Sequence, residues 1–186
     1  MKYAVCFVVL TCLLSGCNSK DTGMDTVVNL RKQMLQMQNC SFQAEIHADY
    51  GDITYDFQAE CDADREGNLA FTVLEPSSIS GISGTVSHSG GKLTFADTVL
   101  AFPLLAEGEV SPVSAPWLLI RTLMSGYVSA TVQEGERLHV TFHDSYEADA
   151  LTLEVWLDDD EAPCFAEIVW QGRRVLSMHV TSFEIV

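Results

Sequence analysis

The chain has 186 residues, and its 26 aspartate and glutamate side chains outnumber its 10 lysine and arginine side chains, so its formal net charge is −16. A charge of this sign repels nucleic acid and anionic lipid headgroups, which excludes a nucleic-acid-binding protein. The length suits one domain with a hydrophobic core of its own.

The start of the chain resembles the leader of a bacterial lipoprotein. Lys2 supplies a positive charge, and the apolar run at positions 3–14 is shorter than the roughly 20 residues of a membrane-spanning helix. Two small residues then precede Cys17, as in a lipobox. The resemblance implies a signal peptide at residues 1–16, lipidation of Cys17 as the membrane anchor, and a tether over residues 17–23. The alternative is an ordinary signal peptide that happens to be cut near this cysteine.

A helix and a strand hairpin are predicted next. Apolar residues recur at helical spacing over residues 25–38, which predicts an amphipathic helix. The pattern then changes to alternation, with apolar side chains at even positions over residues 40–48 and at odd positions over residues 53–61. This change predicts two antiparallel strands that present their apolar side chains on one face.

The turn of this hairpin sets the pairing of two cysteines. A two-residue turn at Tyr50 and Gly51 would place Cys40 opposite Cys61, within reach of a disulfide. We therefore predict a Cys40–Cys61 bridge, with two unpaired buried thiols as the alternative. Cys164 is left over as the odd cysteine of the mature chain.

A second helix interrupts the strand patterns that follow. Ser111 and Pro112 are start signals, Gly126 is a stop signal, and residues 117–124 between them are apolar nearly all round. A helix with this surface is enclosed by protein or meets something apolar, so we predict a lid over the concave face of the sheet. Strand patterns on both sides of the helix bring the total to about eleven, joined by short antiparallel connections.

The candidate catalytic and metal-binding patterns are weak. His139 and His143 have a spacing that suits a helical metal site, but they lie on a strand, and no third ligand is near. His143-Asp144-Ser145 contains the residue types of a catalytic triad without the required arrangement. The acidic run at residues 158–161 lacks the spacing of a known calcium loop and is typical of a solvated turn. We predict no catalytic residue, no metal site and no cofactor.

Trp156 falls on the polar side of its strand, opposite Leu153 and Val155. An aromatic side chain there is either covered by the N-terminal helix or contacts a partner. Both interpretations stay open at this point.

The order of these elements resembles the LolA/LolB-like lipoprotein-carrier fold. That resemblance implies a mainly β (α+β) half-open antiparallel barrel over residues 24–186, closed by helices over an apolar cavity. The runs at residues 48–52, 71–76 and 79–82 also resemble small lipoproteins of spore-forming, low-GC bacteria, including GerS, which assists a cortex-modifying amidase.

Two functions follow from these resemblances, and neither is enzymatic. The first is a lipid-anchored module at the extracytoplasmic face of the cell membrane that binds a lipid or another hydrophobic ligand. The second is an accessory protein that binds an envelope or spore-cortex peptidoglycan enzyme. The predicted cavity and lid residues are Phe42, Tyr55, Phe57, Phe71, Phe95, Trp117, Leu118, Leu119 and Met124.

Overall fold

The computed structural model describes residues 22–96, 98–103, 105–106, 109–143 and 151–186. The predicted signal peptide, Cys17 and most of the tether lie outside these residues and stay predictions. Within the described ranges, no helix has both the length and the apolar character needed to cross a membrane.

The described residues form two α-helices and thirteen strands. Helix α1 spans Thr22–Gln36 and helix α2 spans Ala115–Ser125, directly after a 3-10 helix at Pro112–Ser114. Both α-helices lie where the sequence predicted them, within a few residues at each end. The strands are β1 (Asn39–Asp49), β2 (Thr54–Asp64), β3 (Leu69–Glu75), β4 (Ser83–Ser87), β5 (Gly90–Phe95), β6 (Thr98–Phe102), β7 (Leu105–Ala106), β8 (Glu109–Val110), β9 (Tyr127–Glu134), β10 (Arg137–His143), β11 (Thr152–Leu157), β12 (Pro163–Trp170) and β13 (Arg173–Ile185).

Eleven strands form one antiparallel sheet in the order β6-β5-β4-β3-β2-β1-β13-β12-β11-β10-β9, and β7 and β8 form a separate two-stranded hairpin. Most neighbours in the sheet are also neighbours along the chain, because short turns connect antiparallel strands. The pairing of β1 with β13 joins the two series of hairpins. Strands β6 and β9 are the two edges, so the sheet is not closed. The predicted mainly β, eleven-stranded half-open architecture with two helices is confirmed.

One face of the sheet, called the inner face here, carries the hydrophobic core. On β1 the even-numbered side chains from Cys40 to Ala48 are buried, and on β11 the buried side chains are Leu153, Val155 and Leu157. Helix α1 adds side chains from the stripe that its helical periodicity predicted. These are Val27, Leu30 and Met34.

Helix α2 is buried on nearly all sides. Trp117 is 1% exposed, and Leu119 and Ile120 are fully buried. The His88 ring packs edge-on against Trp117, with ring centroids 5.4 Å apart. The apolar surface that the sequence showed is therefore enclosed by the protein's own side chains. Whether α2 also acts as a lid for a ligand stays a prediction.

Arg31 joins the two helices. Its Nε donates a hydrogen bond to the Leu123 carbonyl at 2.9 Å, and its Nη2 donates one to the Gly126 carbonyl at 2.6 Å. The last carbonyls of a helix have no partner within the helix, and they carry the negative end of its dipole. The guanidinium therefore caps the end of α2 and holds α1 against it.

The predicted register of the first hairpin is wrong by two residues. Cys40 pairs with Ala63, and Cys61 pairs with Phe42. The cause is the turn, which has four residues, 50–53, instead of two. It is closed by a bond from the Tyr50 amide to the Ile53 carbonyl at 3.0 Å.

The predicted Cys40–Cys61 bridge is therefore corrected as well. The two cysteines are diagonal neighbours on the inner face and both are free thiols. Burial, with a smaller contribution from the Asp62 charge, raises the pKa of Cys40 to about 12 and also raises the pKa of Cys61. The alternative of two unpaired buried thiols describes the structure. The third cysteine, Cys164, is also a free thiol.

Candidate ligand-binding site

An apolar pocket of about 630 Å³ opens at the beginning of β2. We call it the β2 pocket. Three irregular segments surround it: the β1–β2 turn, the β3–β4 connection and the segment that leads into α2. The lining residues are Tyr50, Asp52, Ile53, Tyr55, Asp56, Phe57, Val73, Ile79, Ile82, Leu93, Val110, Ser111, Pro112 and Val113.

Tyr50 ties the β1–β2 turn to the segment that enters α2. Its hydroxyl donates a hydrogen bond to the Val110 carbonyl, and its ring meets the Tyr55 ring edge-on at 6.1 Å between centroids. Gly51 adopts a φ of 92°, and its amide donates to the Asp49 carboxylate at 2.7 Å. This left-handed residue lets the turn bend so that Tyr50 reaches across the pocket.

The β3–β4 connection supplies the opposite wall. The Val73 amide donates to the Ile82 carbonyl at 2.8 Å, and the Gly81 amide donates to the Val73 carbonyl at 2.9 Å. Gly81 has a φ of 85°, a conformation that residues with a Cβ rarely adopt. These bonds fold the connection back onto the end of β3, where Ile79 and Ile82 line the pocket.

The chemistry of the lining is apolar with few polar groups. Aliphatic and aromatic side chains make up most of it, and the polar members are Asp52, Asp56 and Ser111, besides the tyrosine hydroxyls. Ile53 is 55% exposed and Tyr55 is 47% exposed, so the apolar wall reaches the surface. Such an arrangement suits the binding of an apolar group more than the chemistry of a reaction.

The structure brings two of the predicted cavity residues to this pocket, Tyr55 and Phe57. Most of the others are buried in the core away from it: Phe42, Phe71, Trp117, Leu118 and Leu119. Met124 packs against the core, and Phe95 is 54% exposed on β5. None of these seven lines the β2 pocket.

Sequence reasoning missed the residues that irregular segments contribute, chiefly Ile53, Ile79, Ile82, Val110 and Val113. Alternation identifies side chains within strands, and these residues lie outside strands or at their ends. The one available signal was the pair of isoleucines around Ser80 and Gly81, in a loop where exposed apolar side chains need a reason.

Trp156 lies on the outer face of the sheet, away from both helices. Its ring stacks on the His139 ring at 4.3 Å, with an angle of 2° between the ring planes, and its Nε1 donates to Glu134 Oε2 at 2.9 Å. The two nitrogens of His139 face carboxylates of Glu134 and Glu154, at 3.1 and 2.7 Å. Coverage of Trp156 by the N-terminal helix is therefore wrong, while contact with a partner stays a prediction.

The weak catalytic and metal patterns have structural explanations. His143 shares a hydrogen bond with Thr152, at 3.1 Å. Asp144 and Ser145 lie outside the described residues. Asp158 accepts bonds from the backbone amides of Asp160 and Ala162, as expected for a solvated turn. The part of the chain that the structure describes has no group of three or more histidine, cysteine or acidic residues placed to hold a metal.

No model of a known protein family matches the chain, and no curated protein is significantly similar to it. Several solved structures do match. A LolA superfamily protein from Nitrosomonas europaea aligns at 8% identity and a TM-score of 0.46, over 86% of this chain and 93% of that one. The lipoprotein LppX from Mycobacterium tuberculosis aligns at 10% identity and a TM-score of 0.44, over 89% and 96% of the two chains.

A third match comes from the complex of the CwlD amidase with the GerS lipoprotein from Clostridioides difficile. It has 13% identity and a TM-score of 0.41, over 87% of this chain and 94% of that one. The matches thus include the LolA-like class that the sequence resembles. Identities and TM-scores this low transfer no ligand or partner, so function rests on the pocket itself.

Proposed function

We propose that this protein is a non-enzymatic binding module, anchored by lipidated Cys17 at the extracytoplasmic face of the membrane, whose β2 pocket holds the hydrocarbon part of an amphiphile. The pocket is the observation that supports this proposal. Its volume of about 630 Å³ lies within the range of roughly 300–1,000 Å³ that small-molecule sites occupy. The exposed apolar side chains of Ile53 and Tyr55 form an entrance through which an alkyl chain can enter the pocket.

The expected affinity follows from burial of methylene groups. Each buried methylene contributes about 0.8 kcal/mol, so about ten would contribute ~8 kcal/mol before the costs of immobilising the ligand. Because a Kd of about 1 μM corresponds to roughly 8.2 kcal/mol, the free energy left after these costs corresponds to binding weaker than micromolar. The described residues of the lining are mainly aliphatic and aromatic, which supports the binding of an apolar group.

A matched pair of tyrosine variants tests the pocket. The predicted mature chain, from residue 17 onward and carrying Cys17→Ala, would be used, since it keeps every described residue and lacks both the apolar leader and the lipid. Tyr55→Ala should weaken binding of the neutral probe Nile red about tenfold, because it removes part of the apolar wall. Tyr127→Ala is the control, since Tyr127 is 41% exposed and does not line the pocket. Equal binding by both variants would refute the assignment.

The membrane anchor is tested separately. Cys17→Ala should abolish incorporation of a labelled fatty acid in the native host and leave uncleaved or released protein. Labelling that persists in this variant would show that another residue is lipidated, whereas absence of labelling in the parent chain would show that the leader is an ordinary signal peptide.

An accessory role, in which the protein binds an envelope enzyme, is the second candidate. Edge strand β6 favours it, because Val99 and Leu100 are each 61% exposed beside an unpaired strand edge. Exposed apolar edges of this kind accept a strand from another protein. A photo-crosslinking residue at position 100 should capture one envelope protein in native membranes. The same residue at Leu35, which is also 61% exposed, is the control, and equal capture at both positions would contradict this role.

A further inference from the structure

The charged side chains that line the β2 pocket are acidic. Asp52 and Asp56 are the charged residues of the lining, and both are exposed. No lysine, arginine or histidine is among the described residues that line it. A ligand whose tail enters the pocket would therefore present its head group to carboxylates.

Two basic side chains near the pocket already contact acidic groups, one outside the lining and one within it. Arg173 Nη2 bonds to the Asp49 carboxylate at 3.0 Å and to the Asp49 carbonyl at 3.1 Å. His47 Nδ1 lies 2.6 Å from the Asp56 carboxylate. Within the described residues, no salt bridge involves Asp52. Asp52 therefore contributes the uncompensated negative charge at the rim of the pocket.

From this geometry we propose that the β2 pocket selects amphiphiles by head group, binding a cationic head best, an uncharged head less well and an anionic head worst. The inference rests on the proposed function, since it assumes that an alkyl chain occupies the pocket. The tail supplies affinity without regard to charge, and the rim adds attraction or repulsion. Because the carboxylates are exposed, salt should weaken this preference.

Competition with ligands that share one tail tests the selectivity. Nile red bound to the predicted mature chain carrying Cys17→Ala would be displaced by dodecyltrimethylammonium, dodecyl maltoside and dodecanoate, each below its micelle concentration. At low salt we expect dodecanoate to bind about tenfold more weakly than dodecyltrimethylammonium. This difference in affinity should become smaller in 0.5 M salt, because salt screens the rim charges. If dodecanoate binds as tightly as dodecyltrimethylammonium or more tightly, the inferred selectivity is wrong, while the proposed function is unaffected. Failure of all three ligands to displace the probe would overturn the proposed function with it.

A charge-matched pair of variants assigns the effect to the rim. Asp52→Asn should reduce the difference in affinity between the cationic and the anionic ligand severalfold, and it should leave the affinity for dodecyl maltoside unchanged. Asp159→Asn makes the same change in net charge, but Asp159 lies in the exposed β11–β12 turn, outside the pocket lining. This control variant should keep the parent's difference in affinity between the two charged ligands. If both variants reduce this difference in affinity equally, the overall charge of −16 causes the preference for cationic head groups, and the inference is wrong.

Discussion

Strand β2 passes through two different environments on the same face of the sheet. From Phe57 onward its odd-numbered side chains are buried, whereas Tyr55, on the same face, is 47% exposed at the β2 pocket. The difference lies in what covers the strand, because the alternation of the sequence continues through both parts. Periodicity thus identifies the face that a residue occupies, while coverage by α2 and the loops decides whether that face is core or pocket.

The largest expected effect separates the enclosed region from the open one. Trp117→Ala should lower the free energy of unfolding by about 3–5 kcal/mol, because it leaves a cavity beneath α2. Tyr55→Ala should cost about 1 kcal/mol or less, since half of that side chain is already in water. Urea unfolding of both variants measures the two losses. If Trp117→Ala kept its stability and lost Nile red binding, α2 would be a lid over a ligand and not part of the core.

A smaller effect is expected where α1 holds the end of α2. Arg31→Met removes the charged donor to the Leu123 and Gly126 carbonyls and should cost about 2 kcal/mol. Lys32→Met is the control, because Lys32 is exposed on the same helix and should change stability by about 0.5 kcal/mol at most. Equal losses in the two variants, again measured by urea unfolding, would show that the cap does not stabilise the enclosed region.

The smallest expected effect depends on pH and reports whether water reaches the Cys40 thiol in the enclosed region. Burial raises the pKa of Cys40 to about 12, from an ordinary value of 9.0. Above the ordinary value the unfolded chain loses the thiol proton while the folded chain keeps it, so stability falls as pH rises from about 9 towards 12.

The measurement compares unfolding at pH 7 and pH 9.5 for the parent chain and for Cys40→Ala. The parent should lose about 1 kcal/mol more than the variant over this interval, and titration of all other groups cancels in the comparison. Identical pH dependence in the two proteins would mean that water or a counter-charge reaches Cys40 in the folded state.

The sequence was sufficient to predict the number of strands in the main sheet, the faces of most of them and both helices, because burial imposes a period on each element. It did not predict the short β7–β8 hairpin. It was not sufficient for the first register, since the same alternation is compatible with turns of two or four residues, and only the bonds of residues 50–53 select four. The pocket was only partly predictable. Tyr55 and Phe57 belong to a strand, whereas Ile79, Ile82 and Val110 come together through tertiary contacts that no local pattern records.

The pairing of β1 with β13 has a consequence for how the molecule folds. Strands β1–β6 form one ladder of sequential hairpins and β9–β13 form another, so nearly all pairing within each ladder is local. The contact between Ala44 and Val180 in the β1–β13 seam, in contrast, closes a loop that contains almost the whole domain. Loop-closure entropy makes such a contact slow to form, so the two ladders are expected to become structured first and to join at this seam in the rate-limiting step.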